Sequence, residues 1–360
     1  MLEPISFGAI SGWINDDLNP SLRAFQRSAT EILEKVAGFR REARFGGSRE
    51  NWLPLCKLAL KANNARSFFE DHFSALRVHD AECPQGLFTG YYEPETQGSL
   101  TQSKSFPVPI YDKPDDLVAF TEAERETVGL SYGRRENGKA VGFHTRHEIE
   151  IGALAGRGLE ICFVRSWVDA FFIHVQGSGR VILDDGKVMR LSYAAKNGQA
   201  YTGIGGVLLA RCIGTPETMS MQFLRKWMTE NPSQMRELLW SNKSFVFFRV
   251  IQIVDPNLGA IGAAKVNLTT LRSLAVDRSN WMFGTPLFVD TIEPPEAING
   301  PLPFQHLMIA QDTGTAIRGI IRGDVYWGWG EKAAHNAGHM KSKGRMTALL
   351  PKRLAQRFTP

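Results

Sequence analysis

The run Ala310-Gln311-Asp312-Thr313-Gly314-Thr315-Ala316-Ile317-Arg318-Gly319 is soon followed by Asp324-Val325-Tyr326-Trp327-Gly328-Trp329-Gly330. Two aspartates stand twelve residues apart, each at the edge of a short apolar stretch and each close to glycine. This arrangement suits strand ends in a small β-barrel, where a carboxylate can face a groove. Glycine beside it lets a bulky ligand approach the backbone. Carboxylates on an open groove beside aromatic residues point towards sugar chemistry.

The rest of the chain supports a β-rich fold with helices at its edge. A helical segment opens at Asn19-Pro20-Ser21-Leu22 and runs to about Phe39, with Leu22, Phe25, Ile32, Leu33 and Val36 on one face. Further helices are expected over Trp52–Leu60 and Arg66–Leu76. From Gly86 the texture changes to aromatic, glycine-punctuated strands, beginning with Gly86-Leu87-Phe88-Thr89-Gly90-Tyr91-Tyr92-Glu93-Pro94. Prolines confine Phe106–Tyr111 to an edge strand or connector, and Thr121–Arg135 reads as an exposed helix and loop. Strands are expected at Glu160–Val164, Ala170–Val175, Arg180–Leu183 and Val188–Leu191, with Asp184-Asp185-Gly186-Lys187 as a hairpin turn. Helix starts are read at Thr215-Pro216-Glu217 and across Met235–Trp240. Strands resume at Ser244–Phe248, Ala275–Asp277, Pro286–Val289 and Leu307–Ala310. Two β-rich regions, 106–192 and 245–350, joined by helices, imply one barrel-like domain with another β-domain inserted into it.

Composition narrows the function classes. At 360 residues, 43% hydrophobic and 22% charged, the chain has the balance of a soluble protein with ample core. No apolar stretch reaches the length of a bilayer span. The start Met1-Leu2-Glu3-Pro4-Ile5-Ser6 lacks the features of a secretory signal, so the expectation is a cytoplasmic protein or one whose export signal lies outside this chain. A net charge of +5 describes a mildly basic surface that would also assist association with a carboxylate-rich polymer. No dense basic run interleaved with aromatics argues for nucleic acid. Cys56, Cys83, Cys162 and Cys212 have no CxxC spacing, which speaks against zinc and redox chemistry.

Several residues could carry chemistry, and each has a plainer reading. Glycosidic cleavage needs a proton delivered to the departing oxygen and a nucleophile at the anomeric carbon. One carboxyl suffices if the nucleophile is the sugar's own hydroxyl, because the same group can give and later take a proton. On spacing alone Asp324 reads equally well as a turn residue, and Asp312 as an Asx-turn. Asp277 and Asp290 read as structural acceptors. Val175-Gln176-Gly177-Ser178-Gly179-Arg180 lacks the lysine of a phosphate loop, so nucleotide binding is not expected; it reads as a hairpin, or as small residues letting a polymer lie close, with Gln176 and Ser178 bonding sugar hydroxyls. Tyr193-Ala194-Ala195-Lys196-Asn197-Gly198 mixes aromatic, cationic and amide groups suited to sugar faces. Tyr91, Tyr92, Trp327 and Trp329 could stack on sugars or fill core. His335 and His339, four apart without the acid of a HExxH pattern, read as solvated or capping histidines rather than a metal pair.

At these residues the chain resembles the membrane-bound lytic murein transglycosylase A family. The ordered matches run from Gly86 to the C-terminus: Thr89-Gly90-Tyr91-Tyr92-Glu93-Pro94, Val175-Gln176-Gly177-Ser178-Gly179, and Ser192-Tyr193-Ala194-Ala195-Lys196-Asn197-Gly198. Ser220-Met221-Gln222, Ser244-Phe245-Val246-Phe247-Phe248, Ala275-Val276-Asp277-Arg278-Ser279 and the Asp312 and Asp324 run follow. The resemblance implies a mainly β fold with peripheral helices. A double-psi β-barrel would comprise residues 1–103 and 243–360, with a second β-barrel inserted at 104–242 and the glycan in the groove between them. It implies a peptidoglycan lytic transglycosylase with Asp324 as single acid/base and Asp312 in support. Substrate contacts would come from Thr89, Tyr91, Tyr92, Gln176, Gly177, Ser178, Tyr193, Lys196, Asn197 and Tyr326. No metal or organic cofactor is implied. The expected partners are glycan strands and other cell-wall enzymes, without nucleic acid or nucleotide, and the expected form is a periplasmic, outer-membrane-associated monomer. A two-carboxylate hydrolase and a non-catalytic glycan-binding protein are the rival expectations. Two departures stand out: no lipid-attachment cysteine near residue 1, and Ile320-Ile321-Arg322-Gly323 one residue longer than the family pattern.

Overall fold

The chain opens on strand β1 (Leu2–Ile5), passes through helices Asn19–Leu33, Arg49–Ala59 and Ala65–His72, and returns as β2 (Phe73–Val78) and β3 (Gly86–Glu93). These elements come from a computed structural model that describes residues 1–34, 42–81, 84–253, 255, 257–294 and 302–358. Nine strands occupy the middle of the chain: β4 (Glu95–Ser99), β5 (Val108–Tyr111), β6 (Val118–Ala119), β7 (Tyr132–Glu136), β8 (Lys139–Gly142), β9 (Glu160–Val164), β10 (Ser178–Ile182), β11 (Val188–Lys196) and β12 (Val246–Ile251). The last third contributes β13 (Ser273–Val276), β14 (Pro286–Ile292), β15 (Pro303–Asp312), β16 (Arg322–Trp329) and β17 (Lys341–Pro351). Two compact units result: Met1–Tyr92 with Pro256–Pro360, and Glu93–Asp255.

The first unit is a closed β-barrel. Its sheet runs β1-β2-β17-β14-β15-β13-β16-β3, and a further β17–β3 pairing closes the last six strands into a ring. Closure is possible because β17 is long enough to serve three partners. Lys341–Gly344 pair with β3, Leu287–Asp290 of β14 pair with Ala348–Arg345, and Thr347–Pro351 pair with β2. The alternation of strand side chains puts Phe88, Leu274, Leu287, Val289, Leu307, Ile309, Val325, Met346 and Ala348 out of solvent, all 0% exposed. Apart from Ala348, each of these side chains contributes roughly 1.5–3 kcal/mol of transfer free energy. At Gly323 a Cβ would stand 2.8 Å from the Leu274 side chain, so the close approach of β16 to the core there requires glycine.

The second unit holds a six-stranded sheet in the order β12-β11-β10-β4-β9-β5. A parallel bridge between Asp112, just after β5, and Phe248 of β12 joins its two edges into a second barrel. Val108, Ile110, Cys162, Val164, Val181, Leu191 and Phe248 fill it. Glu93 lies buried within this unit against Arg190 at 2.9 Å and Arg180 at 3.3 Å. A small sheet, β6-β7-β8, stands beside the barrel strands in sequence.

Several expectations are corrected by local physics. Residues 170–175 lie in a helix, Trp167–Gln176, not a strand. Ser166 caps it by accepting from the Asp169 N–H, and Gly177 ends it with a left-handed φ of 71°. Ala170 to His174 are all buried, so no polar face betrays the helical period. The helix expected over Arg66–Leu76 stops at His72 and becomes β2, because Phe73–Val78 pairs with both β1 and β17. The helix expected at Thr215 begins at Met221, where Ser220 caps the Phe223 N–H. The first helix ends at Leu33, and its expected extension to Phe39 lies outside the described residues. Residues 95–99 pair with β9 and β10, and 246–251 pair with β11, so the units divide at 92/93 and 255/256 rather than at 103/104 and 242/243. Cys56 and Cys162 are buried thiols and Cys212 an exposed one; Cys83 lies outside the described residues.

Candidate active site

Strand β13 sets the spacing of the two aspartates. It runs antiparallel to β16 and parallel to β15, and in both ladders the same residue, Ala275, is the partner: of Asp324 on one side and of Asp312 on the other. Neighbouring strands lie about 4.8 Å apart, so the two aspartate Cα atoms stand roughly 10 Å apart across a single methyl group, on one face of the sheet. A register shift between Leu274 and Ala275 brings Asp312 into this row. The preceding Gln311 is fully buried, its amide donating to Ala24 O and Ser28 Oγ at 2.8 Å and accepting from Ser273 Oγ at 2.5 Å.

The two carboxylates have different surroundings. Asp324 Oδ1 accepts from Thr89 Oγ1 at 2.5 Å. Thr89 in turn accepts from Arg322 Nη2 at 2.8 Å, while Arg322 Nη1 donates to Gly323 O and Leu87 O. Asp312 Oδ1 accepts two backbone N–H groups, from Ala263 and Thr313, each at 2.9 Å, and its Oδ2 accepts from Tyr91 Oη at 3.1 Å. Both residues keep partial solvent access, yet protein atoms enclose both carboxyl groups. Burial pushes each above the ordinary aspartate value of 3.8. At Asp324 the Arg322 charge and the Thr89 hydroxyl oppose that rise. At Asp312 the two backbone N–H groups and Tyr91 oppose it, and the Asp324 charge adds a small further rise. The like-charge effect is mutual, so an ionised carboxylate at either position holds up the other.

Tyr91 packs against Tyr326 with ring centroids 5.3 Å apart and the planes tilted by 53°, and burial together with the neighbouring aspartates drives its phenol well above its usual range. Tyr326 was expected to face substrate. It is instead 0% exposed, packed with Ala260 and Leu268 under the backbone of Gly259, so its role is to support Tyr91. Tyr92 and Trp327 are buried as well. Thr89, Tyr91, Asp312 and Asp324 are thus brought together by the first unit. Arg322 was missed; its place two residues before Asp324, on the same strand face, was the available signal.

The second unit gathers the remaining expected contacts at one end of its barrel. Gln176 ends the helix, Gly177 caps it, and Ser178 opens β10 opposite Ser192. The Tyr193 N–H donates to Gly177 O at 3.0 Å, and the Tyr193 ring is exposed. Lys196 ends β11. Asn197 is different from its expected role: at 0% exposure its amide donates to His144 O and Lys243 O and accepts from the Phe245 and Gln199 N–H groups. That amide staples loops together and has no capacity left for a ligand. His335 and His339 lie on the helix Gly330–His339, where His339 Nδ1 meets the His335 carbonyl at 2.8 Å.

Comparison with known proteins decides the family. The description "MltA specific insert domain" matches residues 87–249, and "3D domain" matches 272–350. The crystal structure of a membrane-bound lytic murein transglycosylase from Agrobacterium tumefaciens is 35% identical and superposes with a TM-score of 0.89 over 99% of each chain. The chain belongs to the membrane-bound lytic murein transglycosylase A family. The transglycosylase A of Escherichia coli K12 is 36% identical over 266 residues, which are 73% of this chain and 65% of the relative, a little under two thirds of its length. A structure of E. coli MltA with bound chitohexaose is 30% identical, with a TM-score of 0.65 over 98% of this chain and 91% of the other. For this transglycosylase A family member the 3D match contains Ala275, Asp312 and Asp324, and the insert match contains Gln176 to Asn197.

Proposed function

We propose that the protein is a peptidoglycan lytic transglycosylase, cleaving the β-1,4 bond between N-acetylmuramic acid and N-acetylglucosamine without water as nucleophile. The observation that carries this reading is the setting of Asp324: partly accessible, raised by burial, and oriented through one oxygen by Thr89. Its carboxyl protonates the bridging oxygen as an oxocarbenium-like centre develops at the muramic C1. The same carboxylate then takes the proton of the C6 hydroxyl while O6 attacks C1, giving a 1,6-anhydro end and returning the acid to its protonated form. Raised protonation favours the first step, and the Arg322 charge favours the second by stabilising the carboxylate. Asp312, held by Tyr91 and two backbone N–H groups, is a fixed neighbour across Ala275. In the second unit, Gln176, Gly177, Ser178, Tyr193 and Lys196 bind the sugar chain. The bound chitohexaose of the E. coli relative, a β-1,4-linked amino-sugar oligomer, supports a substrate of that class. The cell envelope, with the periplasmic murein, is the place of action, in keeping with the membrane-bound relatives. No helix among the described residues is long and apolar enough to cross a membrane.

The test is product analysis on purified murein sacculi by mass spectrometry. Anhydro-muramic ends are expected, and their absence with reducing muramic ends in their place would show a hydrolase.

A further inference from the structure

Along β17 the residues Lys341, Lys343 and Arg345 are exposed while Ser342, Gly344 and Met346 are buried, so three cations share one face. Register fixes where that face lies. Lys341 is paired with Thr89 and Lys343 with Leu87, and paired residues of antiparallel strands point to the same side with Cβ atoms about 5 Å apart. Thr89 is the residue that bonds Asp324, so the cationic row begins one strand from Thr89 and two from the candidate acid. On the other flank of β3, Arg322 reaches over Leu87 O and Thr89 Oγ1. At about 3.4 Å per residue the row from Lys341 to Arg345 is roughly 14 Å long.

The row is held rigidly. Thr291 Oγ1 donates to Lys343 O at 2.8 Å, and a Cβ at Gly344 would lie 2.6 Å from Asp290 O, so β17 sits tight against β14. The acid across from Arg345, Asp290, already accepts from Gln305 Nε2 at 2.9 Å. Leu87, 37% exposed, adds an apolar step between the cations and Arg322.

A sugar chain of neutral amino sugars offers such a row nothing to bind. Murein does: the lactyl group of each muramic acid carries a peptide whose free carboxylates stand off the glycan. We infer that Lys341, Lys343 and Arg345 form a docking row for the carboxylates of peptides carried by the glycan, so that peptide-bearing strands are preferred over bare ones. This rests on the reading of the protein as a murein transglycosylase.

The experiment compares glycan strands with their peptides and the same strands stripped by an amidase, with the lactyl carboxylates that this hydrolysis frees capped as methyl amides so that the bare glycan is neutral. Rates are measured for the wild type and for K341Q/K343Q/R345Q, and co-sedimentation with both glycans is measured in an Asp324→Asn background. The wild type is expected to favour peptide-bearing glycan through KM. The triple variant loses about tenfold of that preference in both rate and binding, and 0.2 M salt erodes the wild-type preference far more than the variant's. An unchanged ratio in the variant, or no preference in the wild type, overturns the docking row. Absence of anhydro ends from either glycan refutes the proposed reaction instead, and the sedimentation ratio then still decides whether the row binds peptide carboxylates.

Discussion

Replacing Thr89 by valine isolates the contact on which Asp324's orientation depends. Valine is nearly the same shape, keeps the β-branched character that suits a strand, and leaves the pairing with Lys341 intact. What disappears is the 2.5 Å hydroxyl contact to Oδ1 and the acceptor for Arg322 Nη2. Arg322 keeps its contacts to Gly323 O and Leu87 O, so the guanidinium stays beside the site. A hydrogen bond to a charged group is worth about 1.5–3 kcal/mol, and partial solvent access at Thr89 argues for the lower end because water can replace part of the donor. About 1.5–2 kcal/mol corresponds to a fall in kcat/KM of roughly 10–30-fold. The direction of the pH effect follows from the same contact. The hydroxyl favours the ionised carboxylate, so its loss raises the Asp324 pKa further, and the limb of the rate profile that reports deprotonation of the acid moves to higher pH. Release of anhydro-muropeptides measured across pH, with thermal melting as a folding control, reads both effects. Thr89→Ser should restore most of the activity. A valine variant within twofold of wild type, with the same pH profile, would refute the assignment of Thr89 as the orienting residue.

Asp324→Asn is expected to give no anhydro product at any pH. Because the Asp324 carboxyl is raised in the fold, its own contribution to stability is fully present below the ordinary value of 3.8 and is lost as pH rises through the folded value. The Asn variant should therefore melt higher than wild type near neutrality, with the gap closing in acid. Asp312→Asn keeps one acceptor oxygen for Ala263 and Thr313 and turns an amide NH2 towards Tyr91 Oη, so turnover should fall without vanishing, and loss of a neighbouring negative charge should move the limb assigned to Asp324 to lower pH. Asn197→Ala strands buried carbonyl and N–H partners and should cost about 2–3 kcal/mol in urea unfolding, with the folded fraction still active. Glu93→Gln leaves Arg180 and Arg190 buried without their counter-charge and should cost about 3–5 kcal/mol by the same measurement.

The barrels were legible where strands carry alternation or glycine and proline punctuation, as in β3, β5, β9, β14 and β15. They were not legible where the signal is shorter than a period or buried all round. Strand β1 is four residues with only Leu2 buried, and helix Trp167–Gln176 hides its period because Ala170–His174 all face protein. The same limit applies to the site. Asp312 and Asp324 announce themselves through neighbouring glycines and strands, but Asp324's partner Thr89 lies 235 positions away in sequence. Asn197 and Tyr326 read as ligand contacts because amides and aromatics suit sugars. Only the fold reveals that the Asn197 amide serves residues 144, 199, 243 and 245, or that loop residues Gly259 and Ala260 cover Tyr326.

A single acid/base must part with its proton and regain one within a turnover, and the two aspartates differ in their fitness for that. Asp312 is held at both oxygens, by two backbone N–H groups at Oδ1 and a phenol at Oδ2, all of them donors that favour the ionised form. Protonating Oδ2 would weaken the bond it accepts from Tyr91, and the two backbone donors at Oδ1 go on favouring the ionised form. Among the described residues Asp324 accepts one hydrogen bond, at Oδ1 from a hydroxyl, which leaves Oδ2 to carry the proton. The hydroxyl can also follow the charge, because Thr89 is itself held by Arg322. Between them, at Ala275, the sheet offers only a methyl group, so nothing bulky separates the mobile acid from the fixed one. The asymmetry therefore arises from which donors reach each carboxylate rather than from the strands that carry them.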